Sequence, residues 1–206
     1  MIQKKRMLAG ELYIFEDPEL YKDRDKNRTI LHELNQTSHL QLERREALFK
    51  DLFGSIGENF KIQTPFYCDY GNNIYIGDNF FANFDCLILD IAEVHIGNNV
   101  MFAPRVNIFT AGHPIDAEVR NTKLEFGTPV TIGDNVWVGG NVTINPGVTI
   151  GDNVVIGSGS VVTRNIPSNT VAVGNPCRVI RDITEADKIY WKEKQAQFHR
   201  DMENLK

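Results

Sequence analysis

No stretch of this 206-residue chain is apolar for long enough to cross a bilayer, which takes about 20 such residues. A membrane-spanning helix is therefore not expected. Basic residues crowd the start, MIQKKRMLAGELY, but no apolar segment follows them, and a secretory leader needs one. Cysteine is scarce. Cys68, Cys86 and Cys177 are odd in number and widely spaced, which shows neither a disulfide framework nor metal-ligand spacing. A reducing, cytoplasmic location is the expectation. Excess positive charge is missing too. A net charge of −5 disfavours nucleic acid or an acidic membrane as main partner, although a local basic patch can still hold phosphates. What remains, 42% hydrophobic and 24% charged residues, is ordinary globular material. It suits one compact domain with short appendages.

What the chain does have is a repeat. From Val130 to Ile166 it reads VTIGDN VWVGGN VTINPG VTIGDN VVIGSG SVVTRN I. Ile132, Val138, Ile144, Ile150, Ile156 and Val162 fall six apart, and Val130, Val136, Val142, Val148 and Val154 form a second column two positions earlier. A period of six matches neither a helix at 3.6 nor a single strand at 2. It matches short strands joined by corners, with Gly, Asp and Asn where positive φ is needed. Three such strands close a triangular coil of about 18 residues, stacked at about 4.8 Å. The sequence therefore predicts a parallel β-helix. A weaker version of the ladder starts near Ile62, where Ile76, Ala82, Ile88, Val94, Val100 and Val106 are six apart and Ile96, Phe102 and Ile108 give the second column.

Residues 1–58 carry no hexads and read as a helical cap over the open first coil, whose strand edge would otherwise be bare. Ser38 to Gln41 resembles a capping box before an apolar stripe of Leu42, Leu48, Phe49, Leu52 and Phe53, and Arg28 to Asn35 reads as an earlier helix. The solenoid is expected over 59–181. Thr184-Glu-Ala-Asp resembles the start of a charged C-terminal helix within 182–206. Between Phe109 and Thr128 the repeat vanishes, yet Val106 and Val130 remain in phase. The segment therefore reads as an excursion thrown out from one corner, and loops of that length are commonly functional.

The excursion holds His113 between Gly112 and Pro114. A general base needs a pKa near the working pH and access to substrate, and a loop histidine offers both; a purely structural role is equally open. His95, between Val94 and Ile96, points out of the wall. His32, His39 and His199 lie in charged helical segments.

Longer strings say more than the period. Ala9-Gly-Glu-Leu-Tyr, CDYGNNIYIGDNFFANFDCLILD (Cys68 to Asp90), TAGHPID (Thr110 to Asp116), the Val130 ladder and GNPCRVIR together resemble the maltose and galactoside O-acetyltransferases, maltose O-acetyltransferase most of all. The resemblance runs nearly to Ile183. The hexads mark only a wide superfamily, whereas the cap, CDYG, FANFD and the GHP loop are specific. The resemblance implies a mainly β protein whose parallel β-helix is left-handed, the hand that ordinary crossovers disfavour. It also implies acetyl-CoA as cosubstrate with no metal, and a homotrimer whose active sites lie between subunits.

By the same resemblance His113 is the general base, and the oxyanion donor lies in backbone near Gly140. Sugar contacts carry over to Asp69, Asn83 and Asp90. Asp85 is added because it sits beside Asn83, and Asp17 is the nearest counterpart of an acid near the N-terminus. CoA contacts carry over to Gly140, Ser158, Thr163, Arg164, Arg178 and Arg181, with arginine at 164 where relatives often hold lysine. Trp137 lies against the pantetheine arm or supports the loop. The implied acceptor is a hydroxyl, the 6-OH, of maltose, glucose or a related sugar. Two alternatives stay open: another acceptor such as a galactoside, amino sugar or small amine; and a non-catalytic scaffold. A third, a γ-type carbonic anhydrase, is rejected. It needs three histidines per zinc, and the solenoid holds only His95 and His113.

Overall fold

A computed structural model describes residues 2–205. Three helices open the chain: α1 (Ile2–Leu8), then β1 (Tyr13–Ile14), α2 (Pro18–Gln36) and α3 (Leu42–Leu52). Six coils of a left-handed parallel β-helix follow. The first holds β2 (Ser55–Ile56), β3 (Lys61–Ile62) and β4 (Phe66–Cys68). The second holds β5 (Ile74–Ile76), β6 (Phe81–Ala82) and β7 (Cys86–Leu89), and the third β8 (Val94–Ile96), β9 (Met101–Phe102) and β10 (Asn107–Phe109). The excursion then inserts β11 (Ala111–Gly112), α4 (Ala117–Arg120) and β12 (Leu124–Gly127). Coils four and five are β13 (Val130–Ile132), β14 (Trp137–Val138), β15 (Thr143–Ile144), β16 (Thr149–Ile150), β17 (Val155–Ile156) and β18 (Val161–Val162). An Ile166 bridge to Ile150 and β19 (Thr170–Val173) begin the sixth. An antiparallel strand, β20 (Arg178–Asp182), turns back on β19 before α5 (Glu185–Asn204).

Each of the first five coils contributes one strand to each of three parallel faces, and the sixth adds β19 to the second. The first face is β2, β5, β8, β13 and β16, the second β3, β6, β9, β14, β17 and β19, and the third β4, β7, β10, β15 and β18. Inward aliphatics from all three, Ile74, Ile88, Val94, Ile108, Val130, Val142 and Ile144 among them, form one core at 1% exposure or less. Their pairing in register explains the six-residue columns. Corners between the first and second faces repeat Asn79, Asn99 and Asn135 in the left-handed conformation, at φ 58, 55 and 58, which asparagine tolerates. Their side chains bond from coil to coil, Asn79 to Asn99 at 3.0 Å and Asn99 to Asn135 at 3.3 Å. Gly133 precedes such a corner because a Cβ there would run into the Asp152 carboxylate of the next coil.

Coil length is not uniform. Corner-to-corner bonds link residues 18 apart late in the solenoid (Asp134 N–H to Asp152) but 20 apart early (Asp78 N–H to Asn98). The two extra residues lie at the corner between the third and first faces, around Asp69–Tyr70 and Asp90–Ile91. In consequence Ile76, Ala82 and Ile88 pair with Ile96, Phe102 and Ile108. They do not continue the Val94, Val100, Val106 column, as equal spacing in sequence suggested. The excursion occupies this same corner one coil later, and the ladder resumes in step, Ile96 pairing with Ile132 and Ile108 with Ile144.

The cap differs from expectation in its details. Ser38 caps no helix: its Oγ accepts from Leu40 N–H at 3.3 Å, and α3 starts at Leu42. The helix expected over Arg28–Asn35 is the last part of the longer α2. Solenoid pairing begins at Ser55, inside the segment assigned to the cap, because β2 already pairs with β5. Leu31, Leu34, Leu48, Phe49, Leu52 and Phe53 close the open core. Asn35 supplies what a missing coil would: Nδ2 donates to Phe66 O at 2.9 Å and Oδ1 accepts from Phe66 N–H at 3.0 Å. The first 20 residues do something else. Met7, Tyr13 and Leu20 pack with Tyr70 and Ile91 against the widened corner. At the other end Thr184 and Asp187 form the capping box of α5, which buries none of its described side chains. No described helix is long and apolar enough to cross a membrane.

Candidate active site

The widened corner is where chemistry collects. Asp90 is fully buried, and its Oδ1 accepts from the N–H groups of Asp69 (3.0 Å) and Tyr70 (2.9 Å), while Oδ2 has no partner among the described residues. Asn73 Nδ2 donates to the Asp90 carbonyl at 2.7 Å. One coil on, Thr110 Oγ1 donates to Leu89 O at 2.7 Å and accepts from Ala92 N–H at 3.0 Å. Buried polar groups of this kind fix the backbone because breaking any one strands a partner. Burial raises the Asp90 pKa to about 7. Half-buried Asp69 is also raised by burial, against the opposing pull of Arg24 and Arg28. Asp90 was expected to contact sugar. That reading is corrected: a carboxylate with no exposed surface touches no ligand, and here it anchors the loop carrying Asp69.

The excursion is built as an antiparallel hairpin, Ala111 opposite Gly127 and Gly112 opposite Phe126, and its outer strand pairs with the N-terminal strand, Glu125 opposite Tyr13. Tyr13 OH donates to Glu125 Oε2 at 3.0 Å. Burial raises the pKa of both groups. Asp116 caps α4 by accepting from Val119 N–H at 2.9 Å, which gives the tip a fixed shape. Exposed His113 is oriented through Nδ1, 3.3 Å from Leu124 O. A Nδ1–H donated to that carbonyl leaves Nε2 as the free base. Glu125 lies near enough to both His113 and Asp69 to feel their charge. His113, Asp69, Glu125, Tyr13 and Arg24 thus form one neighbourhood.

Glu125, Tyr13 and Arg24 carried no role in the sequence reading. The alternation Leu124-Glu-Phe-Gly hints at a strand, but nothing local says that it pairs with Tyr13. Asp17, expected as a sugar contact, is instead the N-cap of α2, its carboxylate accepting from Glu19 N–H at 2.9 Å ahead of Pro18.

The other candidates divide between places. Asn83 and Asp85 lie on the corner between the second and third faces, a different edge of the prism. Asn83 Oδ1 accepts from Phe84 N–H at 2.8 Å. Asp85, at φ 61, sits 3.9 Å from the guanidinium of Arg105. Gly140 and Ser158 continue that edge in later coils, the Gly140 N–H donating to Ser158 Oγ at 3.1 Å. The glycine with no room is Gly139, where a Cβ would come within 2.6 Å of Ser158 N; at Gly140 the nearest atom is Pro104 O at 3.3 Å. A residue-long strand rise of about 3.3 Å puts the two edges roughly 12–15 Å apart. Within one chain, the excursion carrying His113 and the Gly140 edge thus leave from different corners of the prism.

Thr163 and Arg164 are exposed further along the His113 edge. Trp137 stands outward on the second face, 51% exposed, between Met101 and Val155 in neighbouring coils. Arg178 and Arg181 are three positions apart, a spacing that a regular strand sends to opposite faces. A bulge opposite Val171/Ala172 restores them to one: Arg178 pairs with Val173 and Arg181 with Val171. Arg181 is not a free cation. It holds Asp187 bidentately at 2.8 and 2.9 Å, which pulls the Asp187 pKa down to about 2. Arg178 donates to Cys177 O at 2.7 Å.

Two family models match. Residues 6–57 match the maltose acetyltransferase hexapeptide capping motif, and residues 129–164 match the bacterial transferase hexapeptide of six repeats. A putative acetyltransferase of Saccharomyces cerevisiae is 56% identical over 89% of this chain and 94% of its own length. The crystal structure of a maltose O-acetyltransferase from Clostridium difficile, 54% identical, superposes at TM-score 0.88 over 89% of this chain and 98% of that one. A galactoside acetyltransferase in complex with coenzyme A, 46% identical, superposes at 0.87 over 91% and 94%. With cap, solenoid and excursion all shared at this level of identity, the chain belongs to the maltose and galactoside O-acetyltransferase family of hexapeptide-repeat proteins.

Proposed function

We propose that this chain transfers acetyl from acetyl-CoA to a sugar hydroxyl, the 6-OH of maltose, glucose or a related sugar, with His113 as general base. The observation that carries the reading is the setting of His113: an imidazole held through Nδ1, with Nε2 free, over a corner that presents Asp69 and Glu125. His113 Nε2 takes the proton from the sugar hydroxyl as its oxygen attacks the thioester carbonyl. The tetrahedral oxyanion needs a fixed N–H, and Gly140 N–H, now bonded to Ser158 Oγ, is the candidate donor. Collapse breaks the C–S bond. The CoA thiolate takes up the proton that His113 gained, and the acetyl ester leaves. Asp69 and Glu125, with Asn83 and Asp85, supply acceptors and donors suited to neutral hydroxyls.

Because His113 and Asp69 lie on one edge while Asn83, Gly140 and Ser158 lie on another, the working site draws on two chains. We infer a homotrimer with each site in a seam between neighbours. Acetyl-CoA would lie along the Gly140–Ser158 edge, and Thr163, Arg164, Arg178 and Trp137 would be its further contacts. Arg181 would reach a phosphate only by sharing its guanidinium with Asp187.

The test is release of free thiol from acetyl-CoA with maltose, glucose, galactosides and amino sugars as acceptors. Turnover is expected with a neutral sugar, and His113→Ala should lower it about 10²-fold or more while coenzyme A still binds. A folded protein that releases no thiol with any acceptor would overturn the reading. So would a His113→Ala variant within about tenfold of wild type.

A further inference from the structure

At the capped end of the solenoid, beneath α3, lies a cavity of about 490 Å³ bordered by Leu42, Phe49 and Phe60 and by His39, Arg45 and Lys61. The volume falls in the range of small-molecule sites. Arg45 is its unusual feature. At 7% exposure it is a buried cation, and its Nη2 donates to Ile62 O at 3.0 Å and Thr64 Oγ1 at 3.1 Å. Those bonds cover the open edge of the first coil on the second face, as Asn35 does on the third. They do not explain the rest of the guanidinium. Nε is buried with no acceptor. Nη1 makes no hydrogen bond within the described residues, and Arg45 borders the cavity.

No described carboxylate pairs with Arg45. Glu46, which also borders the cavity, is engaged by Lys50 at 2.7 Å. A buried charge without a counter-charge is strongly unfavourable, and arginine cannot relieve it by losing its proton. The helix above adds to the imbalance. Gln41 caps α3 with no side-chain hydrogen bond, so N–H groups of its first turn still want an acceptor. Arg45 and the first turn of α3 bring positive potential to a cavity that Leu42, Phe49 and Phe60 also border.

We propose that the cavity beneath α3 binds a small carboxylate with an apolar tail, its head on Arg45 and its tail against Phe49 and Phe60. With Nη2 engaged and Nε sealed, Nη1 remains to donate a charge-assisted hydrogen bond to a carboxylate oxygen, and the apolar wall supplies the remaining affinity. This site is separate from the excursion corner and from the Gly140 edge, so it stands whether or not the proposed catalysis does.

Calorimetric titration of the full-length protein tests it with three probes: hexanoate, hexanol (tail without charge) and acetate (charge without tail). Hexanoate is expected to bind saturably, at least tenfold tighter than either of the others, and to bind equally well in the presence of saturating coenzyme A. Arg45→Met should weaken hexanoate binding tenfold or more. Since that change also removes the bond to Ile62 O, Lys61→Glu on the exposed rim serves as the second variant and should weaken binding severalfold with the melting temperature unchanged. The proposal is overturned if hexanoate shows no saturation up to about 10 mM, if hexanol or acetate binds as tightly, if coenzyme A displaces hexanoate, or if folded Arg45→Met or Lys61→Glu binds as well as wild type.

Discussion

Replacing Asp90 by Asn tests the account of the widened corner. An Asn carbonyl oxygen can accept from Asp69 N–H and Tyr70 N–H as Asp90 Oδ1 does, at 3.0 and 2.9 Å, and the amide nitrogen replaces an oxygen that has no partner. The backbone should stay in place while the titration disappears. Burial raises the Asp90 pKa to about 7 in the folded chain, against about 3.9 unfolded. Between those values the folded state binds more protons, so stability falls as pH rises from about 4 through about 7. About three pKa units at 1.36 kcal/mol each set a ceiling of about 4 kcal/mol on the loss. The Asn variant does not pay it, although its buried amide N–H costs about 1–3 kcal/mol at every pH. Urea unfolding at pH 5, 7 and 9, at one protein concentration, should therefore show Asp90→Asn weaker than wild type at pH 5 and gaining on it by a few kcal/mol by pH 9. A difference that stays constant with pH would refute the reasoning, because it would mean that Asp90 is ionised throughout.

Asn35→Ala removes both bonds to the exposed strand edge at Phe66 and should lower unfolding free energy by about 1–3 kcal/mol, measured by chemical denaturation. Tyr13→Phe leaves Glu125 without its hydrogen bond; if the pair orients the acceptor, steady-state kinetics should show a higher KM for sugar with the KM for acetyl-CoA unchanged. Arg181→Met breaks an exposed pair with Asp187, which solvent screening leaves with little effect on stability. If Arg181 also meets a CoA phosphate, affinity for coenzyme A should drop tenfold while the melting temperature barely moves.

The sequence by itself determined the solenoid, because each hexad position sees the core through contacts that recur at a fixed separation. It also marked the excursion, since a break in a regular ladder is visible without coordinates, and it placed His113 within that break. What it hid depends on separation that varies. Two added residues at one corner changed an 18-residue coil to a 20-residue one, and equal spacing in sequence then joined Ile88 to Val94 across a column boundary. Whether a polar residue is buried was equally illegible: Asp69 and Asp90 were both read as sugar contacts, and only the structure shows Asp90 fully buried while Asp69 is not. That Asp17 caps α2 was not read either, because the helix was expected to begin only at Arg28. Only the tertiary structure decided that Tyr13 meets Glu125 across 112 residues, that a bulge turns Arg178 and Arg181 to one side, and that the candidate residues occupy two edges of the prism. Local pattern specifies a repeating wall because its energetics repeat. A site on that wall is assembled from single contacts that do not.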